Sequence, residues 1–235
     1  MKFLSVLLQV SNPVDNPLEL TTQTITTEAQ TNLIDLALKG GWIMGVLLIL
    51  SLVATFVLIE RIMVIRYAAK SDESFMSRIK DYIHDGKVDS ALSLCRSTNS
   101  PTARMIGKGI SRLGRPTSDV LATIENAGNI EVAKLEKGFP IIATIAGGAP
   151  MIGFLGTVTG MVRAFYAMAN AGTNVDITML SGGIYEALVT TVGGLVVGIL
   201  AMFGYNYLVS RVSTVVNRLE TSTMDFMDLL NEPSN

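Results

Sequence analysis

The chain has 235 residues, 49% of them hydrophobic and 16% charged, with a formal net charge of −2 and a mean hydropathy of +0.44. Soluble domains carry about a quarter of their residues as Asp, Glu, Lys and Arg, so this composition excludes an ordinary soluble domain and points to the membrane. One cysteine and one histidine exclude an intrachain disulfide and leave metal centres and catalytic triads without parts; no metal, cofactor or nucleic-acid partner is expected.

In chain order, MKFLSVLLQV (Met1 to Val10) has one lysine and a short apolar run, but Asn12, Pro13 and Asp15 follow it where a small-x-small cleavage site would stand. Residues 1–41 read as an exposed tail, whose first ten residues are either a short interfacial helix or a signal peptide that is removed. A hydrocarbon core of about 30 Å needs roughly 20 helical residues, and three windows supply them: Trp42 to Ile59, Phe139 to Ala169, and Ile177 to Val209. The expected plan is a tail over 1–41, a first span over 42–60, an insert over 61–138, a second span over 139–169, a turn over 170–176, a third span over 177–209 and a C-terminal helix and tail over 210–235.

Within the insert, FMSRIKDYI, SALSLCRS, TARMIGKGISRL and SDVLATIENAGNIEVAKLEKG repeat apolar residues at helical spacing. Ser100-Pro101 and Gly114-Arg115-Pro116 mark the breaks between them. Cys95 in ALSLC reads as a small packed hydrophobe, and His84 in DYIHDGK as a solvated surface residue. The apolar pattern runs almost unbroken from Val120 into Phe139 and from Val209 to Leu230. The second and third spans are therefore expected to continue as helices into the cytoplasm, in an all-α polytopic membrane protein.

Lys and Arg set the orientation, because short segments rich in them stay cytoplasmic. Two precede the first span, thirteen lie between the first and second, none lies in NAGTNVD, and Arg211 and Arg218 follow the third span. The N-terminus is expected outside, in a periplasm, and the C-terminus inside.

Two stripes of small residues stand out. Ala149, Gly153, Gly156, Thr157, Gly160, Ala164 and Ala167 recur along the second span, and Gly183, Ala187, Thr190, Thr191, Gly194, Gly198 and Ala201 along the third. Such stripes let helix backbones approach closely, which in lipid replaces hydrophobic burial as the associating force; each span is expected to seek a close protein neighbour. A threonine in such a helix can also bond its own carbonyls. Glu186 is harder to dismiss as packing, since a carboxylate at mid-membrane costs about 2.5–3.5 kcal/mol on insertion scales and marks ion pathways. Counting 1.5 Å per residue, Glu186 lies about 13 Å and Thr191 about 21 Å in from Ile177, and Thr157 about 18 Å in from Ala169, one polar layer near the membrane middle. Arg163 is about 9 Å from Ala169, close enough to snorkel to the surface, with Asp176 as a partner.

On APMIGFLGTVTGM and GIYEALVTTVGGL the chain resembles the ExbB/TolQ/MotA family of ion-driven stator proteins. The matching positions are Ala149, Pro150, Gly153, Gly156, Thr157, Val158 and Gly160, then Gly183, Ile184, Glu186, Ala187, Leu188, Thr191 and Gly194, and the resemblance covers roughly Trp42 to the end. Three spans resemble ExbB or TolQ rather than four-span MotA. The resemblance implies a homopentamer whose second and third helices line a pore. That pore holds two copies of an ExbD-like or TolR-like single-span partner bearing a membrane-embedded aspartate. It implies pore roles for Thr157, Glu186 and Thr191, with Thr190 beside them, and passage of motion to a TonB-like protein that energises transport across an outer membrane. Thr159, where the family often has Trp, Thr190, where alanine is common, and Arg163 depart from the pattern and leave proton against sodium open. The membrane potential offers about 2.3 kcal/mol per charge per 100 mV, enough to bias repeated steps of one helix against another.

Three alternatives differ in class. A TolQ-like role would serve envelope integrity and division. A passive scaffold would keep the stripes and give Glu186 no function. An intramembrane hydrolase lacks an HExxH, and the single histidine lies in the insert.

Overall fold

The computed structural model describes residues 40–69, 74–170 and 177–231, and the side chains of Ile177 and Met179 are outside that description. The N-terminal tail, Lys70, Asp176 and nearly all of the 170–176 turn therefore lie outside the described residues. All regular structure among the described residues is helical: α1 Gly41–Ala69, α2 Ser74–His84, α3 Val88–Ser97, α4 Pro101–Ile110, α5 Thr117–Glu136, α6 Phe139–Asn170 and α7 Ile177–Asn231.

Three helices, α1, α6 and α7, are long and apolar enough to cross a membrane. On α1 the buried residues Ile43, Leu47, Ala54, Val57, Arg61 and Ile65 fall on one face. The remaining circumference (Leu48, Ile49, Leu52, Phe56, Ile59) is exposed, as on a helix that meets protein on one side and lipid on the other. The helix does not stop at residue 60 but runs to Ala69.

The third span and the C-terminal segment are one helix of 55 residues, about 82 Å long at 1.5 Å per residue. The second span does not continue in this way. The expected unbroken helix from Val120 is interrupted at Lys137 and Gly138, where Gly138 adopts φ of +91°, a left-handed conformation that favours glycine. The side chain of Arg61 fills the corner beside Gly138. Arg61 is buried, donates from Nη1 to the Lys134 carbonyl at 3.3 Å and pairs with Glu60.

The insert follows local turn chemistry. Ser100 caps α4, its Oγ accepting from the Ala103 N–H at 3.1 Å, and Pro101 takes the first helical position, where its missing N–H is not needed. Positive φ at Gly86 and Gly114 turns the chain before α3 and α5. Met105, Ile106 and Ile110 of α4, Ile124 of α5 and Phe226 of α7 form the core of this region. Glu131 on α5 is buried and ties α4 to α5 through Arg104 at 2.6 Å, with Lys134 also at 2.6 Å. Burial pushes its carboxyl up, but the hydrogen bonds from Arg104 and Lys134 outweigh that and hold it below the ordinary carboxylate range. Cys95 is buried, and desolvation pushes its thiol up to about 11. His84 is the exposed last residue of α2.

Candidate functional site

The two small stripes face one another. A Cβ on Gly153 would stand 2.8 Å from the Thr190 carbonyl oxygen and 3.1 Å from the Gly194 Cα; one on Gly194 would stand 2.6 Å from the Ala149 oxygen. Gly160 opposes Ala187, Gly183 opposes Ala164, Gly156 opposes the Thr190 side chain and Gly198 opposes Pro150. These contacts make α6 and α7 an antiparallel pair at backbone separation, and all six glycines (Gly153, Gly156, Gly160, Gly183, Gly194, Gly198) lie in it. Within one chain each stripe covers the other, so the close protein neighbour that each span is expected to seek is, in this chain, the other span.

The same register fixes where the polar residues stand. Thr191 donates from Oγ1 to the Gly153 carbonyl at 3.2 Å, across to α6. Thr157, level with Thr190 and Thr191, donates to the Phe154 carbonyl of its own helix at 2.6 Å. Its face of α6 is a shallow apolar concavity of about 650 Å³ lined by Thr157, Val158, Met161, Val162, Phe165 and Tyr166. Thr159 likewise bonds its own helix, at Leu155 and Gly156.

Thr190, expected beside the pathway, is 1% exposed and donates to the Ala187 carbonyl at 2.7 Å. It sits between the helices beneath Gly156, so its extra hydroxyl is a packing feature of the pair and not an opening on any surface.

Glu186 stands apart from the two half-exposed threonines. Five residues at about 100° each place it roughly 140° from Thr191 around α7, on the side that meets α1. Its Oε1 lies against Gly41, the first residue of α1. About two turns further along α7 Gly193 meets Met44 and Leu47, about five turns along Gly204 meets Leu58, and about nine turns along Arg218 donates to the Ala69 carbonyl, so α1 and α7 run parallel from this point. Counting along each helix expects Glu186, Thr157 and Thr191 in one layer; Glu186 is level with the head of α1, beyond which α6 and α7 project. It faces the α1 side, away from Thr191.

The residue that counting left aside completes this part of the site. Nη1 of Arg163 lies 3.6 Å from Oε1 of Glu186. Arg163 is 60% exposed at its side chain and Glu186 31%. The expected partner Asp176 is outside the described residues. Close packing at Gly160/Ala187 and Gly183/Ala164 makes the pair possible, since it brings the two helices near enough for side chains one turn away to meet. Chemically, the site offers a carboxylate held by a guanidinium at the head of α1, and on the other side of the helix pair two hydroxyl oxygens with free lone pairs. Among the described residues no group of His, Cys, Asp and Glu could hold a metal ion.

Comparison with known proteins agrees in kind. Residues 97–221 match the model of the MotA/TolQ/ExbB proton channel family. The chain is 30% identical over 215 residues to the Tol-Pal system protein TolQ of Haemophilus influenzae, covering 85% of this chain and 92% of that one. It is 27% identical over 183 residues to an ExbB homolog of Methanothermobacter thermautotrophicus, covering 77% of this chain but 64% of that protein, just under two thirds. It is 25% identical over 201 residues to the biopolymer transport protein ExbB of Neisseria meningitidis, covering 79% and 90%.

Proposed function

The chain belongs to the MotA/TolQ/ExbB proton channel family, and from that premise we propose that it is an ExbB-like stator subunit of a proton-driven motor in a bacterial inner membrane. In this reading five copies surround the single helices of an ExbD-like partner, and the assembly energises TonB-dependent transport across the outer membrane. The N-terminus faces the periplasm; the insert, with α2 to α5 and the lower half of α7, lies in the cytoplasm, where thirteen Lys and Arg between the first two spans belong by the positive-inside rule.

The observation that carries the reading is the uncovered apolar face of α6 around Thr157, on the same side of the helix pair as Thr191. A partner helix bearing a carboxylic acid would find two hydroxyl oxygens there to solvate a proton. Glu186, held by Arg163, stands one turn nearer the hairpin and on the α1 side of the pair, and in this reading its carboxylate serves the same proton transfer. Thr190 supports the pair from within.

The test is reconstitution with the partner: Glu186→Ala should abolish proton-gradient-dependent uptake while the complex still assembles. Normal uptake with correctly inserted protein removes Glu186 from the pathway. A TolQ-like role in envelope integrity is the second reading, favoured by the near full-length match to the Haemophilus influenzae protein. Rescue of the division and leakage defects of a strain lacking its own such subunit, without rescue of uptake, would select it.

A further inference from the structure

Beyond the ion pathway, where α1 and α7 leave the apolar zone, three arginines gather on one small cavity. Its volume is about 270 Å³, and Arg66, Arg211 and Arg218 line it with Tyr207 over a floor that includes Ile62 and Ile65. Arg211 donates from Nε to the Tyr207 hydroxyl at 3.1 Å and lies 5.2 Å from its ring centroid. Arg218 holds the end of α1 through the Ala69 carbonyl at 2.6 Å. Among the described residues no carboxylate forms an ion pair with any of the three. Three exposed like charges around one cavity, one from α1 and two from α7, repel one another, so an anion between them is the stabilising complement.

The position says which anion. Large exposed apolar side chains run along α1 through Ile59, Met63 and Val64 and along α7 through Phe203 and Val209. Arg66 and Arg211 follow at once, one on each helix, at the level where a lipid's phosphate lies outside its hydrocarbon, and Arg218 lies about two turns beyond Arg211. Exposed Tyr67 and Tyr207 mark the same boundary, as aromatic residues do at membrane interfaces. Guanidinium forks match phosphate oxygens, and basic pockets between membrane helices bind lipid headgroups. We propose that Arg66, Arg211 and Arg218 with Tyr207 form a binding site for the phosphate of an anionic phospholipid, whose glycerol and first methylenes lie over Ile62 and Ile65. The lipid then fastens the end of α1 to α7 at the point where the membrane-spanning part meets the insert.

The experiment is native mass spectrometry of the full-length assembly released from bilayers of mixed phosphatidylglycerol and phosphatidylcholine, with and without added inorganic phosphate. Wild type should retain phosphatidylglycerol in preference to phosphatidylcholine, and inorganic phosphate should not displace it. Arg66→Gln with Arg211→Gln, which leaves the Arg218 contact to α1 intact, should weaken retention of phosphatidylglycerol roughly 30-fold at about one decade and a half for two surface-proximal charges. Arg66→Lys with Arg211→Lys should restore most of it. Equal retention of the two lipids by wild type, or no change in the glutamine variant, overturns the site; displacement by inorganic phosphate overturns the lipid as its source. Should the glutamine variant not assemble, sodium chloride raised well above the ionic strength of the phosphate arm decides on wild type alone: selective loss of phosphatidylglycerol supports the site, and indifference to salt overturns it.

Discussion

Gly153→Ala should destabilise the helix pair, while Gly147→Ala and Gly182→Ala should not. The added methyl at Gly153 would meet the Thr190 oxygen at 2.8 Å, the Gly194 Cα at 3.1 Å and the Thr191 Cα at 3.2 Å. All three are backbone atoms, which cannot rotate aside, so the helices must part by some tenths of an ångström. Parting them loosens Gly156 on Thr190 and Gly160 on Ala187 and stretches the 3.2 Å Thr191 bond. Overpacking of this kind costs about 1–3 kcal/mol, partly offset by up to about 1 kcal/mol of helix propensity for Gly to Ala, leaving a net loss of up to about 2 kcal/mol and a gap of about 1–3 kcal/mol from variants that gain the propensity alone. At Gly147 and Gly182 a Cβ meets nothing within 4 Å, so only the propensity gain remains. Steric-trap unfolding of the purified chain in bicelles, repeated at two protein concentrations, measures both. Equal stabilities for the Gly153 and Gly147 variants would refute the packing; a loss that depends on protein concentration would place the contact between copies instead of within one.

At Thr157 and Thr191, Val should lower gradient-dependent uptake more than Ser does, after normalising to assembled complex; Ser worse than Val at both sites would leave packing as the reason for Thr. Of the two, only Thr191→Val also removes a bond between helices, at 3.2 Å to Gly153, and should lose a further ~0.6 kcal/mol of stability in the same unfolding assay. Arg163→Gln should reduce uptake and Arg163→Lys restore it, since the 3.6 Å contact to Glu186 needs a cation and not a particular shape; equal defects in both would mean the guanidinium acts elsewhere. For Glu131, the folded carboxyl lies below its ordinary value of 4.5, so its stabilisation is full above the unfolded value and is lost as pH falls through the folded one. Glu131→Gln should therefore cost about 1.5–3 kcal/mol near neutrality, toward the low end because Arg104 and Lys134 reach water, and the gap to wild type should close in acid unfolding titrations.

The insert was legible because its boundaries are local: Ser100-Pro101 caps a helix and Gly114 to Pro116 ends one whatever surrounds them. The break at Gly138 was not, since the apolar period runs straight through it and the positive φ is set by Arg61 and Val57 of a distant helix packing into the corner. The small stripes were legible as sites of close approach, but a stripe does not name its partner. Here the partner is each other, because Gly160 and Ala187, Ala164 and Gly183, and Gly153 and Gly194 lie equally far on either side of the middle of the 170–176 turn. That symmetry was available in the sequence, and it puts Arg163 within a turn of Glu186. Depth counted along one helix at a time could not reveal the ion pair, nor the arginines at Tyr207, which come from segments about 145 residues apart.

Counting along α7 puts Glu186 about 13 Å in from Ile177, whereas packing puts it against Gly41 at the head of α1. The two differ because α6 and α7 extend past α1, and a bilayer has one surface. The apolar run of α1 from Trp42 to Ile59 is about 27 Å long, close to the thickness of a hydrocarbon core, and its first residue is a tryptophan of the kind found at that boundary. If α1 sets the surface, Glu186 and Arg163 sit in the headgroup zone, where an ion pair avoids most of the cost of a mid-membrane charge, and Thr157 and Thr191 lie about 8 Å deeper. Gly182 and Gly45, each with open space for a side chain, stand about one turn to either side of that level. Cys95, buried with its thiol pushed up to about 11, does not compete for label. Spin labels at Gly182→Cys and Gly45→Cys should then differ in kind: the first should relax with a water-soluble nickel chelate, the second with dissolved oxygen. Two hydrocarbon-like signals would put the surface near Ile177, sink the placement by α1, and return the carboxylate to the membrane interior with Arg163 as its compensation there.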